Sequence, residues 1–107
     1  MENDEEETNK IKKPITENGK RLMSEAFKQG FEAGKLGIEL EVAFDSIWKE
    51  FAEKTFSKPE WKPYEQSARD SYHFCFENGY ASGVYSGSVI DSDSAFRKWF
   101  NLNFEIV

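Results

Sequence analysis

Four stretches of the sequence place apolar or small residues three or four positions apart, and segments with Pro or Gly separate them. This spacing is the period of one face of an α-helix. The first stretch runs from about residue 16 to residue 36, and the second begins near Glu39. The third runs from about residue 63 to residue 85, and the fourth follows the capping side chains of residues 91–94. The pattern predicts an all-α fold of four helices, arranged as two αα-hairpins.

Aromatic rings dominate the predicted buried faces of these helices. Aromatic residues make up 16% of a chain whose hydrophobic fraction is 38%, so we expect a core built largely from rings. A cap at Thr16 is expected to start the first helix. The predicted fourth helix carries Phe96, Trp99, Phe100 and Phe104 on its apolar face.

The predicted helices leave a polar segment at the N-terminus. Residues 1–13 are acidic first and then basic, with almost nothing apolar to bury, and we predict a disordered tail. Residues 14–107 are predicted to form a single helical domain. The segment at residues 57–63 holds two prolines, which disfavour helix in the residue before each. It divides the domain into a first hairpin, residues 14–58, and a second hairpin, residues 59–107.

The two predicted hairpins resemble each other in sequence. At an offset of 49 residues, Phe27 aligns with Phe76 and Phe31 with Tyr80. The glycines align too: Gly30 with Gly79, and Gly34 with Gly83. When the offset is increased by three residues, Ala43-Phe44 aligns with Ala95-Phe96. We therefore predict a tandem repeat of one hairpin. The alternative is that two amphipathic helices with aromatic stripes align by composition alone.

One motif connects this chain to a known group of proteins. Phe44-x-x-x-Trp48 and Phe51 precede the proline connector, and Phe76-x-x-Gly79-Tyr80-x-x-Gly83 follows it. This order resembles a unit found in small, mostly uncharacterised proteins of tailed bacteriophages. In the first half, Ala26-Phe27-Lys-Gln-Gly30-Phe31-Glu-Ala-Gly34 matches its glycine helix. The resemblance covers about residues 23–104, with Cys75 where the unit has alanine, and implies a phage or mobile-element origin without implying an activity.

Charge and hydropathy narrow the classes of partner. The net charge is -6 and the pI is about 4.8, which argues against direct binding to nucleic acid. Residues 10–107 carry fifteen acidic and fourteen basic residues, whereas a nucleic-acid mimic should spread negative charge over its folded surface. No apolar run approaches the roughly 20 residues that span a bilayer. A single cysteine agrees with a reducing compartment, so we predict a cytoplasmic location in a bacterial host cell.

Classical catalytic and metal-binding patterns are not found in the sequence. His73 and Cys75 are two positions apart, so on a helix their side chains diverge and cannot share a proton or a metal ion. The carboxylate pairs Glu39/Glu41 and Asp91/Asp93 lack the other ligands of a calcium loop, and helix-start electrostatics account for both pairs. We therefore predict no catalytic residue, no metal ion and no cofactor.

Glycines recur inside both long predicted helices, at Gly30, Gly34, Gly79 and Gly83. Glycine in a helix costs about 1 kcal/mol relative to alanine, so the recurrence needs a cause. We predict close packing of two helix backbones at these positions. The alternative is a groove that admits a ligand or the backbone of a partner.

The leading functional hypothesis is a non-enzymatic, phage-encoded protein that binds a host protein and inhibits or modulates it, such as a host-defence inhibitor. Its predicted contact residues are Trp61, Tyr64, Tyr85, Glu39 and Glu41. For Trp61, a ring that caps the core from outside is the alternative. A homodimer that buries leftover aromatic surface is a further possibility for the partner. Two other functions are open: a small-molecule or nucleotide-binding sponge, and an acidic nucleic-acid mimic that inhibits a nuclease.

Overall fold

The computed structural model describes residues 12–107, and residues 1–11 of the predicted tail lie outside them. Four helices form the body: α1 (Glu17–Leu36), α2 (Leu40–Thr55), α3 (Glu65–Ser86) and α4 (Ser92–Asn103). A 3-10 helix at Lys62–Tyr64 precedes α3. Two short strands, β1 (Lys13–Ile15) and β2 (Phe104–Ile106), pair in parallel. The predicted all-α class, with four helices in two hairpins, is confirmed.

Side-chain caps start three of the four helices where the sequence predicts a start. Thr16 Oγ1 accepts a hydrogen bond from the Gly19 backbone N–H at 3.1 Å. Glu39 Oε2 accepts from the Val42 N–H, and Asp91 Oδ1 from the Ser94 N–H, each at 2.8 Å. Each cap satisfies a donor that has no partner inside its own helix.

The two long helices, α1 and α3, run parallel and touch through their backbones. A Cβ atom at Gly79 would lie 1.9 Å from the carbonyl oxygen of Phe27, and one at Gly83 would lie 2.1 Å from that of Phe31. The reverse contacts are equivalent, since a Cβ at Gly30 would lie 2.0 Å from the Phe76 oxygen. Only glycine allows this approach, and the contacts place α1 and α3 at the centre of the fold.

Each short helix packs against the long helix of the other half. Phe44 of α2 meets Phe76 of α3 edge to face, with ring centroids 5.6 Å apart and planes at 71°. Phe96 of α4 meets Phe27 of α1 in nearly the same way, at 5.5 Å and 66°. Phe44 aligns with Phe96, and Phe27 aligns with Phe76, when the sequences of the two halves are compared. The two contacts are therefore equivalent. The core therefore has an approximate two-fold relation, while the duplication of an ancestral hairpin stays a prediction.

The structure corrects the predicted boundaries at both ends of the helical domain. Lys13, assigned to the tail, is the first residue of β1, and Phe104, assigned to the fourth helix, begins β2. Lys13 and Phe104 are paired in the parallel ladder, and the Val107 N–H donates to the Ile15 oxygen at 3.1 Å. The third helix also begins later than predicted, because Lys62–Tyr64 forms a 3-10 turn around Pro63.

Candidate functional site

The predicted contact residues fall at opposite ends of the molecule. Trp61 and Tyr64 lie together before α3, with ring centroids 6.3 Å apart and side chains that are 51% and 61% exposed. Trp61 makes no other aromatic ring contact within residues 12–107. Tyr85 is 85% exposed in the last turn of α3, about 30 Å of helix away from Tyr64. The sequence prediction therefore combined two separate surfaces.

The end at which Tyr85 lies concentrates exposed apolar side chains. Because α1 and α3 are parallel and in contact, their last turns finish side by side, and both hairpin loops leave from there. The Tyr80 hydroxyl donates to the Ile38 oxygen, and the side chain of Lys35 covers Gly87. We call this surface the loop end. It consists of Leu36, Ile38, Val84, Tyr85, Val89 and Ile90, which are all exposed.

Several of these side chains are more exposed than a soluble fold requires. Leu36 is 72% exposed and Val89 is 78% exposed, although both are large aliphatic residues. Single exposed apolar residues are ordinary, but a group at one end of a small domain is typical of an interaction site. The loop end also repeats the two-fold relation of the core, since Leu36 corresponds to Tyr85 and Ile38 to Ile90.

The two predicted contact carboxylates near this end already have intramolecular partners. Glu39 caps α2 through the Val42 N–H. Glu41 Oε1 lies 2.7 Å from His73 Nε2 of α3. The His73 ring also packs edge to face against Phe44, with centroids 4.5 Å apart. These contacts fix the position of α2 on α3 and leave the two carboxylates less available to a partner.

Cys75 takes no part in the contact between Glu41 and His73. Cys75 is buried in the core cluster with Phe44, Tyr72 and Phe76, and burial raises the pKa of its thiol to about 12. Burial also raises the pKa of the Tyr72 hydroxyl to about 12. A thiol with so high a pKa is a poor nucleophile at neutral pH. Cys75 therefore acts as a small core residue.

The glycine positions offer no space for a ligand. Carbonyl oxygens of the opposite helix occupy the sites that side chains at Gly30, Gly34, Gly79 and Gly83 would fill. The alternative of a glycine-opened groove between the long helices therefore does not match the geometry of α1 and α3.

A different groove lies between α1 and α4, with a volume of about 620 Å³. Five residues of α1 and three of α4 form its walls: Glu17, Asn18, Lys20, Arg21, Ser24, Asp93, Phe96 and Arg97. Three of these residues are cations. Sequence reasoning missed this groove because Arg97 lies far from Lys20 and Arg21 in the chain, and only the packing of α4 on α1 brings them together.

The loop end was also missed, apart from Tyr85, although the sequence holds a signal for it. Leu36, Val84 and Tyr85 fall outside the register of the buried stripes, because the buried positions nearby are Gly34 and Gly83. Apolar residues that lie outside the buried stripe near a helix end indicate an interaction surface.

Within residues 12–107, no helix is long and apolar enough to cross a membrane. The same part of the chain contains no group of three or more His, Cys, Asp or Glu side chains placed to hold a metal ion. Comparisons with protein-family models, with curated proteins and with solved structures found no match to this chain.

Proposed function

We propose that this chain is a non-catalytic protein that binds another protein through the loop end. The observation that carries the proposal is the group of exposed aliphatic and aromatic side chains around Leu36, Tyr85 and Val89. Exposed apolar side chains that gather at one surface of a small domain often mark an interaction site.

The rigid frame beneath this surface supports the same proposal. Both loops of the loop end are anchored, one by the Tyr80 hydroxyl and the other by the helix cap at Asp91. A preorganised surface loses little conformational entropy on binding, so its apolar area contributes more fully to affinity. Tyr85 is the natural anchor, because tyrosine is enriched among the residues that dominate binding energy.

The identity of the partner rests on the resemblance to bacteriophage proteins. From it we infer that the partner is a protein of a bacterial host, and that binding inhibits or modulates it, as expected of a host-defence inhibitor. A nucleic-acid mimic has less support, because the charged groups of residues 10–107 nearly cancel. A partner held mainly by apolar contacts should also resist salt.

The test is affinity capture of the tagged full-length protein from a bacterial lysate, at low and at high salt, with identification of the retained protein by mass spectrometry. The paired variant is Tyr85→Ser with Val89→Ser, which removes apolar surface without touching the core. We expect one partner that is retained at both salt concentrations and is released by the paired variant, with a loss of affinity of at least tenfold.

The matched control changes exposed apolar residues at the opposite end, Tyr64→Ser with Leu102→Ser. This control should retain the partner with unchanged affinity. Loss of the partner in the control but not in the loop-end variant would place the interface elsewhere. A lysate that yields no specific partner at either salt concentration would count against the proposed function itself.

A further inference from the structure

The α1–α4 groove has an excess of positive charge that its own residues do not balance. Lys20, Arg21 and Arg97 line it, and within residues 12–107 none of the three forms an ion pair with a carboxylate. Asp93, on the opposite wall, is already paired with Lys28. Glu17 remains as the one acidic group of the lining without such a partner.

Lys20 and Arg21 make contacts with neutral groups, which leave their charge available, whereas Arg97 acts on a nearby carboxylate. The Arg21 guanidinium donates to Asn18 Oδ1 at 3.3 Å, a neutral acceptor. The Lys20 ammonium lies 5.0 Å from the centroid of the Phe100 ring. Arg97 is close enough to Asp91 to help lower the pKa of that carboxyl, after the larger effect of the hydrogen bond from the Ser94 backbone N–H. The lining of the groove therefore carries a net positive charge.

The sequence contains one segment with the complementary charge. Residues 2–7 carry five acidic side chains, whereas the acids of residues 10–107 are nearly balanced by bases. Residues 8–11 connect this segment to Lys12, and β1 then leads directly into Thr16 and Glu17 at one end of the groove. Anions in this position meet both the three cations and the positive end of the α1 dipole.

The connecting chain is long enough for this contact. Four residues separate residue 7 from Lys12, and the five steps of extended chain between them span up to about 17 Å. The groove wall from Glu17 to Ser24 rises only about 10 Å along α1. A segment tethered so close acts at an effective concentration in the millimolar range, which favours even a weak electrostatic contact.

We propose that residues 2–7 of this chain dock in its own α1–α4 groove, with their carboxylates against Lys20, Arg21 and Arg97. The docked segment excludes other anionic ligands from the groove until they displace it. This contact is independent of the loop end and of the function proposed for it, because the groove lies on the faces of α1 and α4.

The test is a spin label on the full chain, attached through Asn3→Cys, with relaxation read at the backbone amides by NMR. The native thiol does not compete, because Cys75 is 3% exposed, and wild-type protein treated with the same reagent checks this. We expect the amides of residues 18–24 and 94–97 to lose more than half of their intensity, while those of residues 49–55 on α2 keep theirs. Equal loss at both places, or loss only at residues 12–16, would overturn the proposal.

Two triple variants with the same change in net charge test whether docking requires the cations of the groove or only the overall charge of the protein. The groove variant should abolish the intensity loss at α1 and α4; it combines Lys20→Glu, Arg21→Glu and Arg97→Glu. Lys49→Glu, Lys54→Glu and Lys58→Glu together should preserve it, and helical ellipticity checks that both variants fold. Raising salt from 50 mM to 1 M should also abolish the loss, because the screening length falls to about 3 Å at 1 M. If the loss persists in the groove variant, the carboxylates do not dock on these cations.

A second measurement distinguishes docking within one chain from other occupants. Poly-glutamate is added to the wild type and to a variant with Glu2, Glu5, Glu6 and Glu7 changed to Gln and Asp4 changed to Asn. We expect the neutral-tail variant to bind poly-glutamate at least tenfold more tightly, and equal affinities would overturn the proposal.

In a mixed sample of spin-labelled and isotope-labelled chains we expect no intensity loss, since a loss there would show docking between copies.

Discussion

The backbone contact at Gly79 leaves no room for a side chain between α1 and α3. The Gly79→Ala substitution should gain up to about 1 kcal/mol in helix propensity. It would also place a methyl group 1.9 Å from the Phe27 carbonyl oxygen, which α1 can relieve only by moving away. We expect the free energy of unfolding to fall by at least about 2 kcal/mol, measured by urea denaturation.

The control for this prediction is Gly19→Ala, another helical glycine. Its new methyl group would meet side-chain atoms of Ile15 and Thr16 at 3.0 and 3.2 Å, and these atoms can shift. We expect a change within about 1 kcal/mol of zero. Similar losses at Gly19 and Gly79 would mean that the helix crossing is looser than the structure describes.

The Asp91 cap makes stability depend on pH in a defined direction. The backbone N–H of Ser94 donates to its carboxylate, which lowers the pKa of Asp91 below its usual value. A lowered folded pKa stabilises the protein above the unfolded pKa of about 3.9, and the gain disappears as the pH falls through the folded pKa. Asn can still accept the hydrogen bond from the Ser94 N–H, so we expect Asp91→Asn to lower Tm only slightly at pH 5–7, through the lost charge, and to leave it unchanged near pH 2.

The matched control for the cap is Glu105→Gln on β2, which removes an exposed carboxylate that caps no helix. Thermal unfolding followed by circular dichroism across pH 2–7 measures both variants. A Tm difference for Asp91→Asn that does not shrink in acid would show that the ionised carboxylate is not what stabilises the start of α4.

Two aromatic contacts of nearly the same geometry join the short helices to the long helices. Phe44 against Phe76 and Phe96 against Phe27 have nearly the same geometry, and all four rings are buried. We expect Phe44→Ala and Phe96→Ala each to cost about 3–5 kcal/mol, in agreement with each other within about 1 kcal/mol. Phe74→Ala, which removes a half-exposed ring, should cost less than half as much. Chemical denaturation of the three variants tests whether both sides of the core contribute equally.

At the scale of the elements, sequence reasoning succeeded where the signal is local. The starts of α1, α2 and α4 follow from Thr16, Glu39 and Asp91, because a cap and an apolar stripe act within one or two turns. The strands were missed because three residues are too few for an alternating pattern. Lys13 and Phe104 also lie at opposite ends of the chain, so nothing local specifies their pairing.

At the scale of the whole molecule, the sequence predicted two hairpins but did not reveal how they interlock. The equivalence of Gly30 and Gly79 suggested close packing, yet it did not specify that the helices are parallel. The parallel arrangement brings both loops to one end and creates the loop end. It also brings Arg97 beside Lys20 and Arg21 to create the α1–α4 groove. Both candidate surfaces therefore depend on helix arrangement, and periodicity within single helices contains little information about that.

The interlocked core means that neither half carries its own hydrophobic core. Phe27 and Phe31 of the first half pack with Phe96 and Phe100 of the second, while Phe44 packs with residues of α3. A peptide of residues 1–58 or 59–107 would expose these rings to water. An isolated amphipathic helix that lacks its packing partner is marginal in water. We expect each fragment alone to show little helical ellipticity and no cooperative thermal transition.

An equimolar mixture of the two fragments should recover the helical signal and a cooperative transition whose midpoint rises with concentration, because assembly buries both ring clusters at once. Circular dichroism of the fragments alone and mixed measures this directly. The Gly79→Ala substitution in the second fragment should prevent recovery, since assembly requires the contact between α1 and α3. A fragment that folds cooperatively alone would show instead that one hairpin is an independent unit and that the interlocked core is not needed for folding.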